Sequence, residues 1–116
     1  MDMDNVDIFE MEDIQYLVVL VTASSEEEGL KIASALVDAE MVACVNMIEK
    51  VRSIFKWRGK VEDEKETLLI IKTRTERMAE VVAKVKEVHS YDVPEVIALP
   101  VVEGNQSYLR WIDEVT

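Results

Sequence analysis

The stretch YLVVLVTASSEEE, residues 16–28, decides the fold because it joins an apolar strand directly to a helix start. Its first six residues form an unbroken, valine-rich apolar run, which is typical of a central strand covered on both faces. Ser25 and Glu28 then match a capping box, and the acidic residues between them suit the positive end of a helix dipole. The folded part of the chain is therefore predicted to open with a buried strand and a helix.

The following residues predict that this helix leads into a strand hairpin. Apolar residues recur at the spacing of one helix face, and they are Leu30, Ala33, Leu36, Val37 and Met41. Gly29 early in this helix either costs some stability or allows close packing of the helix against a sheet. Residues 41–48 are typical of a second strand and residues 61–72 of a third, with a turn at Arg58-Gly59 in which Gly59 takes positive φ.

The third predicted strand changes character along its length. Residues 62–66, EDEKE, are too charged to be buried, whereas residues 68–71, LLII, resemble a core. The hairpin between the second and third strands is therefore expected to be long, with a solvated arm beyond the compact body. Such an arm exposes strand edges, which is a poor arrangement for a monomer.

The rest of the chain completes a recognisable order of elements. Thr73 or Thr75 is expected to cap a second helix, whose apolar stripe consists of Met78, Val81, Val82, Val85 and Val88. Residues 96–99 predict a fourth strand and residues 107–115 a short terminal helix. This order is β-α-β-β-α-β plus a helix, the α+β ferredoxin-like split βαβ pattern. Both long helices should cover one face of the sheet. The terminal helix could cover part of the opposite face, and another subunit is the natural cover for the rest of it.

Composition limits the classes of function. Among the 116 residues, 24 acidic against 13 basic residues give a formal net charge of -11, which argues against nucleic-acid binding. No segment is apolar enough for a membrane span, and the start lacks signal-peptide character, so we expect a cytoplasmic protein without membrane partners. Residues 1–13 are expected to form a mobile acidic tail and residues 14–116 a single domain.

Five short motifs resemble those of the CutA divalent-cation-tolerance proteins in order and spacing. They are ACVN at 43–46, WRGK at 57–60, IKT at 71–73, HSYDVPE at 89–95 and YLRW at 108–111. The resemblance extends from about Leu17 to Val115. It implies a ferredoxin-like fold, assembly into a homotrimer through extended strands, and a link to copper and other divalent metal ions.

The candidate metal ligands are His89 and Cys44. His89 is the only histidine, and an imidazole nitrogen is a common ligand for copper or zinc, but a residue at this helix end could equally act as a C-cap. Cys44 is the only cysteine and lies in an apolar strand, where it could be a ligand or a small buried hydrophobe. For His89 and for Cys44, the role of metal ligand and the structural role both stay open at this point.

Four further residues are candidates for ligand binding: Lys72, Tyr91, Glu95 and Trp57. Lys72 could bind an anion or pair with Glu95, or could simply reach solvent from a strand end. Tyr91 and Trp57 could stack on a ligand or serve packing alone. We expect ligands to enter a cleft between subunits near His89, Lys72, Tyr91 and Glu95, with Cys44 close by but buried.

The sequence offers no glycine-rich phosphate loop and no nucleophile elbow, so we predict no enzyme and no firm cofactor. The preferred function is a trimeric divalent-cation-tolerance protein that binds copper or another divalent metal ion. One alternative is a PII-like signalling trimer that binds a small effector. Another is a structural trimer that anchors a partner protein.

Overall fold

The computed structural model describes residues 13–116. Its elements are β1 Tyr16–Ala23, α1 Glu26–Asp38, β2 Cys44–Trp57, β3 Lys60–Arg74, a 3₁₀ turn Thr75–Arg77, α2 Met78–Val88, β4 Val96–Pro100 and α3 Gln106–Val115. The predicted acidic tail, residues 1–13, lies outside the described residues except for Asp13.

The strands form one antiparallel sheet in the order β2-β3-β1-β4. Alternate residues of β1, including Val19 and Val21, are fully buried in one core with Leu36 of α1 and Val85 of α2. Both long helices therefore cover the same face of the sheet. The predicted α+β ferredoxin-like order is confirmed, with the extra terminal helix and the long hairpin.

The hairpin is longer than its apolar segments indicated. β2 begins at Cys44 rather than Met41 and continues through the charged arm to Trp57, with an irregularity in register between Ile48 and Val51. Arg58 and Gly59 both have positive φ, 51° and 81°, as a two-residue type I′ turn requires. The predicted turn is confirmed, and pairing along the whole arm explains why its charged residues still form strands.

The first helix begins as predicted but buries only part of the predicted stripe. The Ser25 hydroxyl accepts from the Glu28 N–H at 3.1 Å, as a cap should. Ala33 and Leu36 are buried as predicted, but Leu30 and Val37 are exposed, and Gly29 and Ile32 complete the buried face. A Cβ at Gly29 would lie 3.1 Å from a Thr67 methyl group, so glycine allows the helix to approach the sheet here and sets its rotation.

The predicted threonine caps of the second helix are wrong. The Thr73 hydroxyl donates to the Met41 carbonyl at 2.7 Å, and the Thr75 hydroxyl donates to the Ile14 carbonyl at 2.6 Å. Neither hydroxyl is therefore free to cap, and the chain enters α2 through the 3₁₀ turn without a side-chain cap. Both threonines instead form hydrogen bonds that hold neighbouring segments against the end of β3.

The sheet face opposite α1 and α2, which we call the open face, keeps exposed apolar side chains. Ile48, Ile97 and Leu99 are 47%, 53% and 49% exposed, and strand pairing places them on this face. Helix α3 lies over one end of it, where the Tyr16 hydroxyl donates to Asp113 at 2.6 Å. Within residues 13–116, no helix has the length and apolar character that crossing a bilayer requires.

Candidate functional site

A cleft of about 780 Å³ lies between the hairpin arm and the loop that follows α2. Trp57, Tyr91 and Glu95, three of the predicted site residues, line this cleft. The loop forms because α2 ends at Val88, where the His89 N–H still donates to the Val85 carbonyl at 2.8 Å. The chain then has to reach the start of β4 within a few residues, so Tyr91 and Glu95 come to the hairpin side together.

His89 lies behind the cleft wall, with its side chain fully enclosed. Its Nε2 is 2.7 Å from the Thr22 carbonyl oxygen, and its Nδ1 accepts the Tyr91 N–H at 3.0 Å. These partners assign the proton to Nε2 and the lone pair to Nδ1. In this arrangement both ring nitrogens are satisfied within the chain, and the imidazole holds the loop to the end of β1.

Glu28 connects the start of α1 to the same loop. Its carboxylate accepts the Ser24 N–H at 2.9 Å and the Ser90 N–H at 3.0 Å, and it lies 3.6 Å from His89 Nδ1. In a capping box the Ser25 N–H would donate to the Glu28 carboxylate. Here the Ser24 N–H donates to it instead. Burial alone would raise the pKa of Glu28, but the hydrogen bonds from Ser24 and Ser90 outweigh burial and lower the pKa to about 2.

Glu66 lies at the inner end of the cleft and is only 6% exposed. The expectation that this part of the charge run is solvated is wrong for Glu66, because the Tyr91 hydroxyl covers it and donates to its Oε2 at 2.9 Å. Burial, together with this hydrogen bond, raises the pKa of Tyr91 to about 12. Burial, and then the charge of Glu66, also raise the pKa of Glu95.

Cys44 and Lys72 lie together elsewhere, as partners in the pairing of β2 with β3. The Lys72 ammonium donates to the Asn46 side-chain oxygen rather than pairing with Glu95, and Cys44 Sγ is 3.9 Å from that same oxygen. Cys44 is also half-buried rather than fully enclosed. These two residues therefore form a separate polar group on the open face.

The separation of Cys44 from His89 follows from strand register. His89 contacts Thr22, which pairs with Leu68, whereas Cys44 pairs with Lys72. Four residues along a strand correspond to roughly 13 Å. Within one chain, Cys44 therefore lies away from the His89 region, and its approach to that region of another subunit stays a prediction.

The chemical character of the cleft is acidic and aromatic. The carboxylates along its lining are Glu62, Glu64, Glu66, Asp92 and Glu95. Arg58 is the one basic residue in that lining, and Phe55, Trp57 and Tyr91 supply aromatic rings. Such a lining favours cations over anions. Across residues 13–116, no three His, Cys, Asp or Glu side chains are grouped so that they could hold a metal ion.

Sequence reasoning missed the roles of Glu66, Glu28 and Thr22. A usable signal existed for Glu66, because Glu62, Glu64 and Glu66 alternate along a predicted strand and must share one face. For Glu28, the capping pattern was visible but its partner Ser90 lies 62 residues away. For Thr22, the contact with His89 uses only the backbone carbonyl, which every residue type has, so the sequence contains no signal of it.

Comparison with known proteins gives a consistent result. Residues 17–115 match the family model described as CutA1 divalent ion tolerance protein. The chain is 46% identical over 99 residues to the divalent-cation tolerance protein CutA of Thermus thermophilus, covering 85% of this chain and 96% of that protein. It is 43% identical over 100 residues to the chloroplastic protein CutA of Arabidopsis thaliana, covering 86% of this chain but 55% of that longer protein.

The folds agree as well. The crystal structure of CutA1 from Oryza sativa superposes with a TM-score of 0.86 at 42% sequence identity, covering 89% of this chain and 94% of that one.

Proposed function

This chain belongs to the CutA1 divalent ion tolerance family, and on that premise we propose that it acts as a homotrimer that binds copper or another divalent metal ion. The observation that carries the assembly is the open face of the sheet. Ile48, Ile97 and Leu99 are about half exposed there, in a chain whose net charge of -11 otherwise favours solubility. An apolar sheet face of this kind is stabilised by burial against another chain.

The hairpin arm supports the same proposal. Ile54 and Val61 on the arm are 66% and 69% exposed, and β2 and β4 are the two edges of the described sheet. An arm that reaches a neighbouring copy buries these side chains and covers a strand edge at the same time. Three copies is the number that the family resemblance implies.

Cys44 is the residue we favour as a metal ligand. Its thiol is half-buried on the open face, and a thiolate is a soft ligand that suits copper and zinc. Assembly through this face brings side chains of a second chain towards it. His89 stays a second candidate, but it must first give up its bond to Thr22 or to the Tyr91 N–H.

Calorimetric titration with Zn²⁺ and with Cu²⁺ tests the metal part of the proposal. We expect Cys44→Ser to weaken binding about tenfold or more, because the hydroxyl is a much poorer ligand than the thiolate. Glu27→Gln, which removes an exposed carboxylate on α1, serves as the control for unspecific attraction to an acidic surface. Equal losses in both variants would contradict a site at Cys44. Unchanged binding in His89→Ala would remove His89 from the set of ligands.

The two alternative functions require different ligands or partners. A PII-like signalling trimer that binds an anionic nucleotide is disfavoured by the acidic lining of the cleft. A structural trimer that anchors a partner protein would bind neither metal ion in the titrations above. Recovery of a partner by the intact trimer, together with that lack of metal binding, would favour the anchoring role.

A further inference from the structure

We infer that Lys72 makes the metal site at Cys44 selective for a monovalent soft ion, Cu⁺, over divalent ions such as Zn²⁺. This inference rests on the proposed function, because it takes Cys44 as a metal ligand. It adds the charge of the preferred metal ion and the residue that determines it. The position of the Lys72 ammonium, the absence of a counterion for it among the described residues, and the charge balance at a single thiolate carry the inference.

Strand pairing places the ammonium of Lys72 beside the thiol of Cys44. The two residues are partners in the register between β2 and β3, so their side chains lie on the same face of the sheet. The Lys72 ammonium donates to the side-chain oxygen of Asn46, and Cys44 Sγ is 3.9 Å from that oxygen. Asn46 follows Cys44 by two positions along β2 and therefore points to the same face. The amide thus holds the ammonium near the sulfur.

No carboxylate neutralises this ammonium within residues 13–116. The ion pairs of that part of the chain are formed by other basic residues, namely Arg52, Arg74, Arg77, Lys84 and His89. Lys72 is also half-buried, so solvent ions screen its charge less than the charge of an exposed lysine. The positive charge of Lys72 therefore acts on whatever binds at the thiol.

The neighbour of Cys44 on helix α3 does not offset this charge. Burial, and then the contact with Cys44, raise the pKa of Tyr108. Its hydroxyl therefore stays neutral at physiological pH. Asn46 is neutral as well, so these two residues contribute dipoles to the surroundings of the sulfur, and Lys72 contributes a full charge.

The charge balance at one thiolate distinguishes the two metal ions. On binding, the thiol releases its proton to solvent and the sulfur donates an electron pair to the metal. A thiolate with Cu⁺ is neutral overall, so the ammonium of Lys72 does not repel it. A thiolate with Zn²⁺ keeps a net positive charge and is repelled. Both ions accept soft thiolate ligands, so the charge of Lys72, rather than the type of ligand, separates them.

Competition with a chromophoric chelator measures the affinity of the full chain for Zn²⁺ and for Cu⁺ kept reduced by ascorbate under nitrogen. Lys72→Met removes the charge at similar side-chain length. We expect it to raise the affinity for Zn²⁺ about tenfold and to change that for Cu⁺ less than about threefold, because only the zinc complex keeps a net charge. The ratio of the two affinities is the readout, because a loss of packing would weaken both metals alike.

Two further variants separate the local charge from other effects. Lys72→Arg keeps the charge at this position and should retain the native ratio of affinities. Lys86→Met makes the same change in net charge at an exposed position on α2, away from the open face. It should leave both affinities unchanged.

Two results would overturn the inference while Cys44→Ser still weakens the binding of both metals. The first is an unchanged ratio of affinities in Lys72→Met, which would mean that the assembled protein neutralises the ammonium. The second is an equal rise of zinc affinity in Lys72→Met and Lys86→Met, which indicates an effect of net charge alone. If Cys44→Ser leaves both affinities unchanged, the proposed site is wrong and the inference is wrong with it. A rise of zinc affinity in Lys72→Met alone, with the native ratio in Lys72→Arg, supports the inference.

Discussion

The two faces of the sheet have similar apolar sequences but very different surroundings. On β1, Val19 and Val21 point to the helices and are fully buried. On the opposite face, Ile97 of β4 pairs with Leu20 and is 53% exposed. A strand with two apolar faces needs cover on both sides, and one chain supplies helices for only one. Half of the apolar pattern therefore stabilises the single chain, and the other half is available for association.

A charge on the open face should give the largest effect. Ile97→Asp places a carboxylate in the surface that we propose to be buried between chains, which costs several kcal/mol for each chain. We expect the assembly to dissociate into single chains at micromolar concentration, as measured by sedimentation velocity. Leu30→Asp is the matched control, because Leu30 is 58% exposed on helix α1. Loss of assembly in both variants would contradict the proposal that only the open face is buried between chains.

A cavity on the helix-covered face should act on folding rather than on association. Leu36 is fully buried between α1 and the sheet. Leu36→Ala should lower the free energy of unfolding by about 2–5 kcal/mol through lost burial and an unfilled cavity. Denaturant unfolding with concurrent measurement of mass is the test. A mutant of full stability that dissociates instead would contradict the assignment of Leu36 to the core of one chain.

The junction between helix α1 and the loop after α2 should give stability a specific pH dependence. The pKa of Glu28 is about 2 in the folded chain against 4.5 as its ordinary value. Because the folded value is the lower one, the contribution is complete above about pH 4.5 and is lost as pH falls towards 2. The shift sets an upper bound of about 3 kcal/mol, which solvent screening at this partly exposed carboxylate reduces.

The measurement for this junction is the stability of Glu28→Gln relative to the native chain between pH 7 and pH 2. We expect the variant to be less stable at pH 7 and the difference to shrink as the pH falls below about 4.5. Glu27→Gln, one residue away and exposed, is the control and should track the native chain. A difference that stays constant with pH would show that the ionised carboxylate of Glu28 is not the stabilising species.

The smallest predicted effect concerns the cap of helix α1, which helps to place the covering helix. Ser25→Ala removes the bond that its hydroxyl accepts from the Glu28 N–H, at a cost of about 1 kcal/mol. Ser34→Ala, on the exposed side of the same helix, should be neutral or slightly stabilising because alanine is the better helix former. Thermal unfolding of the two variants is the test. Equal melting temperatures would contradict the role of Ser25 as a cap.

Much of the fold could be predicted from local patterns. The order of elements along the chain, the hairpin turn at Arg58-Gly59 and the start of α1 all follow from residues close in sequence. The rotation of α1 could not be predicted in this way, because it depends on the approach of Gly29 to Thr67 across the sheet. The prediction of threonine caps is wrong for a similar reason, because the hydroxyls of Thr73 and Thr75 donate hydrogen bonds to residues that are 32 and 61 positions away in sequence.

The candidate site was predicted only in part. Trp57, Tyr91 and Glu95 do line one cleft, because a turn, a short loop and a strand start bring them together. Whether they bind a ligand stays a prediction. Strand register puts Cys44 and Lys72 at the other end of the sheet within one chain, and whether they meet these residues across subunits stays a prediction. Register is set by pairing across the whole hairpin, and no single motif contains that information.

The mass of the native protein, measured by sedimentation equilibrium across a range of concentrations, shows whether other copies cover the open face. If the open face is buried between copies, a single species of three times 13.3 kDa should persist into the low micromolar range. A mass of one chain at these concentrations would contradict burial of the open face between copies. The open face would then be an exposed apolar surface of a monomer, and the two faces would no longer differ in the way proposed.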